Sequence, residues 1–188
     1  MNRRIRYISL ILALALNGCI ITNTPGFYNG YKKLTRTEKE KVIFLEDSSI
    51  IRNLTNKGQI VAINGRQLLT YAKELDSLLI YRWGPHCSAE FCILISSCQE
   101  YCNSKNYELV VVAEYYDMEI MNGQNTADLP IFIPNHKYYG KYYANSLNKR
   151  FYEDLLANKN QVYDSGNGRY ILLSHGEMVK QMKNLNEK

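Results

Sequence analysis

The hydrophobic positions of this chain fall into short continuous runs and into stripes with helical spacing. Predominantly apolar runs at 59–64, 77–83 and 108–115 predict short buried strands. Between the first two runs, the apolar side chains of residues 65–75 recur every three or four positions, which predicts an amphipathic helix. Strands that alternate with helices favour a parallel sheet with crossover helices.

Two further helices are predicted before the middle of the chain. Thr35 or Thr37 is a suitable cap for a short helix over 37–46. Pro85 suits the first turn of a long helix that runs to about residue 104, because the missing proline N–H has no helical partner there.

The C-terminal third predicts a helix followed by a hairpin. The helix runs from about 142 to 157, and residues 169–174 and 177–181 flank a turn that contains glycine. A further short strand is predicted at 131–133. The fold class expected is therefore α/β, with a central mixed sheet, helices on both of its faces and a C-terminal β-hairpin.

The N-terminal segment has the pattern of an export signal. Arg3, Arg4 and Arg6 precede an apolar stretch at 7–16, which is too short to span a membrane as a helix. We therefore predict a signal peptide over residues 1–18.

The residues at the end of this signal, Leu16-Asn17-Gly18-Cys19, resemble the lipobox of bacterial lipoproteins. That resemblance implies that Cys19 becomes the mature N-terminus, carries lipid such as palmitate and anchors the chain to a bilayer of the cell envelope. The alternative is a signal that is uncleaved or plainly cleaved, with an incidental cysteine. The predicted organisation is the signal, a tether with a short helix over 19–58 and one domain over 59–188.

Composition and charge narrow the class of protein. The chain has 188 residues, 46% hydrophobic and 22% charged, which is ordinary for a globular domain and excludes wholesale disorder. The net charge is +5, but removal of the three signal arginines leaves 20 basic against 18 acidic side chains, a net charge of +2. No basic patch with interleaved aromatics remains, so nucleic acid is not an expected partner.

One segment resembles a known active site. Tyr81-Arg82-Trp83-Gly84-Pro85-His86-Cys87-Ser88-Ala89-Glu90 is similar to the segment of the thioredoxin superfamily in which a strand ends in Trp-Cys-x-x-Cys and continues into a helix. Pro-His between two cysteines is typical of periplasmic disulfide oxidoreductases. The resemblance covers about 59–181 and extends to thioredoxin-like lipoproteins of Bacteroidota. It implies a thioredoxin-like three-layer sandwich in which Trp83, Gly84 and Pro85 belong to the active-site motif.

The segment departs from that family at two positions. Gly84 stands where the family has its nucleophilic first cysteine, and glycine has no thiolate for disulfide exchange. The position of the family cis-proline falls near Asn167-Gly168, and Pro130 is the only alternative proline. The two-cysteine mechanism of the family is therefore not expected in this chain.

Four cysteines lie within 16 residues of the predicted domain. Cys87, in the first turn of the predicted helix, is the best candidate nucleophile, and the adjacent His86 is a candidate for activating it. Cys98 is expected in the core, whereas Cys102 remains ambiguous. Cys92 is a candidate resolving thiol, but it lies about 140° around the predicted helix from Cys87. A bridge between them requires a helix that starts later than Pro85.

The remaining candidates are weaker. The cysteine spacing matches no zinc pattern, so we expect no metal and no cofactor. The tyrosine-rich segment 138–143 suits either a contact surface or a helix that covers the sheet. Glu114 and Asp117 stand at the end of a predicted strand, at the edge where parallel strands carry functional residues. Their carboxylates are expected either near Trp83 and His86 or as solvated charges of a loop.

Two functions are consistent with these features. The first is an envelope lipoprotein whose thioredoxin-like domain lacks the two-cysteine motif and serves as a binding or accessory module for an envelope protein. The second is an atypical thiol–disulfide or peroxide-reactive enzyme that uses Cys87.

Overall fold

Seven strands form one mixed sheet in the computed structural model of the protein. The strands are β1 (Val42–Phe44), β2 (Ile60–Ile63), β3 (Leu78–Trp83), β4 (Glu108–Ala113), β5 (Ile131–Pro134), β6 (Tyr170–Ser174) and β7 (Glu177–Met182). Their order across the sheet is β1-β2-β5-β4-β3-β6-β7. The first five in this order are parallel, β6 runs antiparallel to β3, and β7 runs antiparallel to β6.

The structure describes residues 25–54, 58–90, 92–125, 129–156, 163 and 168–186. The predicted signal peptide, the predicted lipidation site Cys19 and Asn167 lie outside these residues. Within the described ranges, no helix is both long enough and apolar enough to span a bilayer.

Six α-helices accompany the sheet in the described ranges. They are α1 (Arg36–Glu40), α2 (Gly65–Ala72), α3 (Ile95–Lys105), α4 (Met118–Gln124), α5 (His136–Tyr139) and α6 (Ala144–Leu155). Short 3-10 helices occupy Tyr31–Lys33 and Ser48–Asn53.

The helices cover both faces of the sheet, because alternate strand residues face opposite sides. On one face, Leu79 and Val111 belong to a buried cluster with side chains of α3 and α4. On the other face, Leu78 and Val110 pack with α2 and α6. The predicted α/β class, mixed sheet and C-terminal hairpin are therefore confirmed.

The close contact between α2 and α6 depends on a glycine. A Cβ at Gly65 would lie 2.2 Å from the carbonyl oxygen of Phe151. Asn64 caps α2 by accepting a hydrogen bond from the Gln67 backbone N–H at 2.9 Å, while the Gln67 side chain accepts one from the Asn64 N–H. The predicted helix over 65–75 is thus confirmed, with a capped start that lets it approach α6.

Two predicted elements are wrong in their extent. The helix expected over 37–46 ends at Glu40, and Val42–Phe44 forms a strand that pairs with β2. The segment predicted as a tether with a short helix over 19–58 therefore contributes an edge strand to the sheet. Val42 of this strand is buried. The helix expected from Pro85 to residue 104 begins only at Ile95.

Candidate active site

A cavity of about 840 Å³ lies where β3 and β4 end. Gly84 and Cys87, from the loop after β3, line one side of it, and Glu114 follows β4. Because β3 and β4 are parallel with Trp83 opposite Ala113, the loops that follow them meet at the same edge of the sheet. The other walls come from α6 and from the start of the described chain, at Pro25 and Gly26.

Cys87 and Cys92 are joined by a disulfide. Their Cα atoms are 6.0 Å apart, and both residues are half-buried. The Cys87 N–H donates to the Gly84 carbonyl at 2.9 Å, and the Cys92 N–H donates to the Ala89 carbonyl at 2.8 Å. These hydrogen bonds form turns and not a helix. A bridge between Cys87 and Cys92 requires a helix that starts later than Pro85, and the structure has such a late start.

The loop that carries the disulfide is fixed at its far end. The Tyr81 hydroxyl donates to the Ile93 carbonyl at 2.8 Å, so β3 holds the chain just before α3 begins. Leu94, which falls inside the helix predicted from Pro85, is 61% exposed. Cys87, Cys92 and Leu94 precede α3, so that prediction is wrong for them.

Gly84 leaves space beside Cys87. An ideal Cβ at this position would lie 3.4 Å from the Cys87 Cβ, 3.1 Å from Glu114 Oε2 and 3.7 Å from Arg169 Nη1. Position 84 therefore faces both the disulfide and a group of charged side chains.

That charged group consists of Arg82, Glu114 and Arg169. Arg82 Nε lies 2.8 Å from Glu114 Oε1, and Arg169 Nη1 lies 3.6 Å from the same oxygen. Arg169 Nη1 also donates to the Arg82 carbonyl at 2.7 Å, and Arg82 Nη1 donates to the Tyr163 hydroxyl. Both guanidinium side chains are almost nine-tenths buried, so they require such partners.

His86 also lines the cavity and is held by the chain after β4. Its Nε2 lies 2.7 Å from Asp117 Oδ2, its backbone N–H donates to the Tyr115 hydroxyl at 3.2 Å, and its ring stacks on the Tyr115 ring. The expectation that Asp117 lies near His86 is confirmed. Asp117 therefore positions the His86 ring. The activation of Cys87 by His86 stays a prediction.

Cys98 and Cys102 are buried free cysteines on α3. The expected core position of Cys98 is confirmed, and the ambiguity of Cys102 is resolved in favour of the core. A hydrogen bond to Cys102, followed by burial, raises the pKa of the Cys98 thiol far above its usual range. The Cys98 thiol is therefore unsuited to nucleophilic chemistry.

Pro130 does not serve as the cis-proline of this site. The described residues contain no cis peptide bond. Pro130 precedes β5, which runs parallel to β4, so it lies at the amino ends of these strands and not at the cavity. Of the other motif residues, Trp83 is buried in the core at the end of β3. The described residues contain no group of three or more potential metal ligands.

Compared with known proteins, the chain matches no family model, no curated protein and no solved structure.

Sequence reasoning missed the two arginines of the site. Arg82 was visible as a single charge in the apolar run 77–83, and a buried charge requires a partner. Glu114 stands at the matching end of the next predicted strand, so the ion pair between Arg82 and Glu114 was predictable from the sequence pattern. Arg169 had no comparable signal, because its place depends on the antiparallel pairing of β6 with β3.

Proposed function

We propose that this chain is an envelope lipoprotein with a thioredoxin-like domain, in which Cys87 and Cys92 exchange disulfides with thiols that enter the cavity. The observation that carries the proposal is the position of the disulfide. It sits in a non-helical loop at the carboxyl end of the central strand β3, and its Cys87 lines the cavity. The N-terminal sequence with Cys19 supports the envelope location and the lipid anchor.

The connectivity supports the thioredoxin-like class. Strand β3 ends in the motif residue Trp83, helix α3 follows the cysteine loop, and β4 returns parallel to β3. The terminal hairpin of β6 and β7 then pairs with β3 on its other side. These are the elements that the resemblance of the segment 81–90 implies.

The proposed exchange proceeds through a mixed disulfide. A substrate thiolate attacks the Cys87 sulfur, and the Cys87–Cys92 bond breaks as the new substrate–Cys87 bond forms. Cys92 leaves as a thiolate that takes a proton from solvent. A second thiol of the substrate then attacks the mixed disulfide, which releases oxidised substrate and Cys87 as a thiolate. The substrate dithiol loses two electrons and the protein disulfide gains them.

A guanidinium lies across the open position beside Gly84 from Cys87. Arg169 Nη1 and the Cys87 Cβ flank the same open position beside Gly84, at 3.7 and 3.4 Å. A guanidinium next to a cysteine favours its ionised form. Glu114 opposes that effect in part, since it lies between the two arginines.

A binding or accessory module is the second candidate function. The observation that favours it is Gly84, because no thiol stands at the position where the family has its nucleophile. In this case the cavity receives part of an envelope protein without a covalent step, and Cys87–Cys92 only closes the loop.

Trapping of the mixed disulfide tests the first function against the second. With Cys92→Ser, we expect Cys87 to retain a small-molecule thiol supplied as its disulfide, because no resolving thiol is present. The matched variant Cys87→Ser leaves Cys92 as the remaining thiol of the loop. Because Cys92 does not line the cavity, we expect much slower adduct formation. Intact mass spectrometry of both variants measures the adduct. Equal and slow labelling of the two would contradict exchange at Cys87 and favour the binding module.

A further inference from the structure

An aromatic surface lies at the point where the described chain begins. It consists of Phe27, Tyr28, Tyr142 and Tyr143 and is called here the aromatic surface. Its two segments are joined by backbone hydrogen bonds, from the Asn29 N–H to the Tyr142 carbonyl at 2.7 Å and from the Ala144 N–H to the Phe27 carbonyl at 3.1 Å. The rings of Tyr28 and Tyr143 stack with their centroids 5.0 Å apart.

All four rings of the aromatic surface are exposed. Their exposed fractions run from 37% for Phe27 to 52% for Tyr143. The rings of Phe27, Tyr28 and Tyr143 contact one another, whereas the ring of Tyr142 contacts buried His136. Single exposed aromatic residues are ordinary, but a contiguous cluster of large exposed rings is typical of a contact site. Tyrosine and phenylalanine rings are enriched where one side of a contact is apolar and the other is wet.

The two segments that carry the aromatic surface have basic and no acidic side chains. Residues 25–37 and 135–150 carry seven lysines and arginines and no aspartate or glutamate, whereas the segment after β4 that packs on Asn29 carries Glu114 and Asp117. Four of the seven are exposed lysines that form no ion pair with the described residues, namely Lys32, Lys33, Lys137 and Lys141. Lys32 Nζ lies 4.2 Å from the centre of the Tyr142 ring, so one of these lysines directly borders the aromatic surface.

The length of chain before this surface limits what can cover it. Phe27 follows Cys19 by only eight residues, which span at most about 28 Å when fully extended. If the signal is instead retained, its apolar stretch ends at residue 16, eleven residues before Phe27. Either form of attachment keeps the aromatic surface within reach of the bilayer that holds the N-terminus.

We propose that the aromatic surface and its four lysines dock on the headgroup region of that bilayer, with anionic phospholipid as the preferred contact. Tyrosine and phenylalanine rings suit the boundary between headgroups and acyl chains. Lysines next to them are attracted by anionic headgroups. This inference rests on the proposed membrane attachment, and it is independent of the chemistry proposed for Cys87.

Docking would also set the direction in which the cavity opens. Pro25 and Gly26 line the cavity, and they directly precede Phe27. Ala144 lines it from α6 and directly follows Tyr143. The cavity with Cys87 therefore lies beside the docked surface, within reach of substrates held at the membrane.

Fluorescence quenching in vesicles tests the docked orientation. The full-length protein is reconstituted in vesicles of phosphatidylethanolamine and phosphatidylglycerol that contain lipids brominated high on their acyl chains. Tyr143→Trp places a reporter on the aromatic surface, and Val179→Trp places a matched exposed reporter on the edge strand β7. The emission of the buried native Trp83 is measured in the parent protein and subtracted.

We expect bromolipid to reduce the emission of the reporter at 143 and to leave the reporter at 179 unchanged. Lys32→Gln combined with Lys141→Gln is expected to weaken the quenching at 143 in these vesicles. Equal quenching of both reporters, or none at 143, would overturn the proposal. Loss of emission at 143 that depends on protein concentration but not on bromolipid would show instead that a second copy covers the surface.

The outcome is separable from that of the cysteine proposal. Adduct formation at Cys87 is read by mass, whereas docking is read by emission from residue 143. If the mixed disulfide does not form but the reporter at 143 is quenched more than the reporter at 179, the docking proposal stands. Only the proposed exchange activity is then contradicted.

Discussion

Two pairs of cysteines within 16 residues have opposite surroundings. Cys87 and Cys92 form a disulfide in a half-buried loop at the edge of the sheet, and Cys87 borders the cavity. Cys98 and Cys102, one turn apart on α3, are fully buried as free thiols. The difference arises from the start of α3 at Ile95, which separates loop from helix. Cysteine spacing alone therefore does not distinguish a reactive pair from core packing.

The largest expected contrast between the two pairs is in thiol reactivity. After reduction of the native protein, we expect Cys87 and Cys92 to be alkylated at least about a thousandfold faster than the α3 pair, because Cys98 and Cys102 react only when the fold opens. Peptide mapping by mass spectrometry at successive times measures the four rates. Comparable alkylation rates for both pairs would contradict the distinction between a reactive pair at the cavity and a buried pair on α3.

Gly84→Cys is expected to change the pairing within the loop. The new Cβ would lie 3.4 Å from the Cys87 Cβ, close to the separation found in disulfides, and its nearest neighbour is a flexible carboxylate oxygen of Glu114. We expect a bridge from position 84 to Cys87 and a free thiol at Cys92.

Alkylation without reductant, followed by peptide mapping, locates that free thiol. Gly84→Ser is the matched control, since it fills the same space without a sulfur and should leave Cys92 bonded. An unchanged Cys87–Cys92 bridge in Gly84→Cys would show that the loop itself dictates the pairing.

The histidines extend the comparison between edge and core. His136 is buried among aromatic rings, including Tyr31 and Tyr142, and burial lowers its pKa to about 4, whereas His86 is exposed at the cavity. Because the unfolded chain binds the proton at a higher pH than the folded one, we expect stability to fall as the pH drops from about 6.5 to about 4.

The loss expected over this range is on the order of 3 kcal/mol in the free energy of unfolding. Urea unfolding at several pH values measures it. His136→Leu should remove most of this dependence, and His175→Gln, in the exposed hairpin turn, should retain it. A pH dependence that persists in His136→Leu would assign it to other groups.

The smallest effect is expected for the ion pairs at the cavity. Glu114→Gln removes the charge that faces Arg82 and Arg169, and we expect about 2 kcal/mol of destabilisation, since the site is only partly shielded from water. Glu100→Gln, on the exposed side of α3, is the matched control and should change stability little. Thermal unfolding of both variants measures the difference, and equal melting temperatures would make the cluster unimportant for stability.

The sequence predicted those elements whose pattern is local. Apolar runs located β2, β3 and β4, and helical spacing located α2 and α6, because burial on one face leaves a periodic record. The start of α3 was missed because a covalent bridge and the hydrogen bond from Tyr81 to Ile93 override the preference of Pro85 for a first helical turn. Strand β1 was missed because it has only three residues, too few for a hydrophobic pattern that distinguishes a strand from the end of a helix.

In the candidate site, too, the residues with a local sequence signal were predicted and those that depend on distant pairing were not. Cys87, His86 and the carboxylates after β4 were identified from a motif and from the edge of a predicted sheet. The approach of Arg169 to Glu114 depends on the pairing of β6 with β3, a contact between residues 55 positions apart that no local pattern records.

A redox titration of the cysteines in the full-length protein tests the central claim most directly. The protein is equilibrated in buffers of graded dithiothreitol potential, thiols are trapped by alkylation, and intact mass counts them. We predict that one pair, mapped to Cys87 and Cys92, opens at a potential above about −300 mV, the range of exchangeable disulfides. A pair that remains closed well below that potential would be structural, and it would contradict the proposed exchange at Cys87.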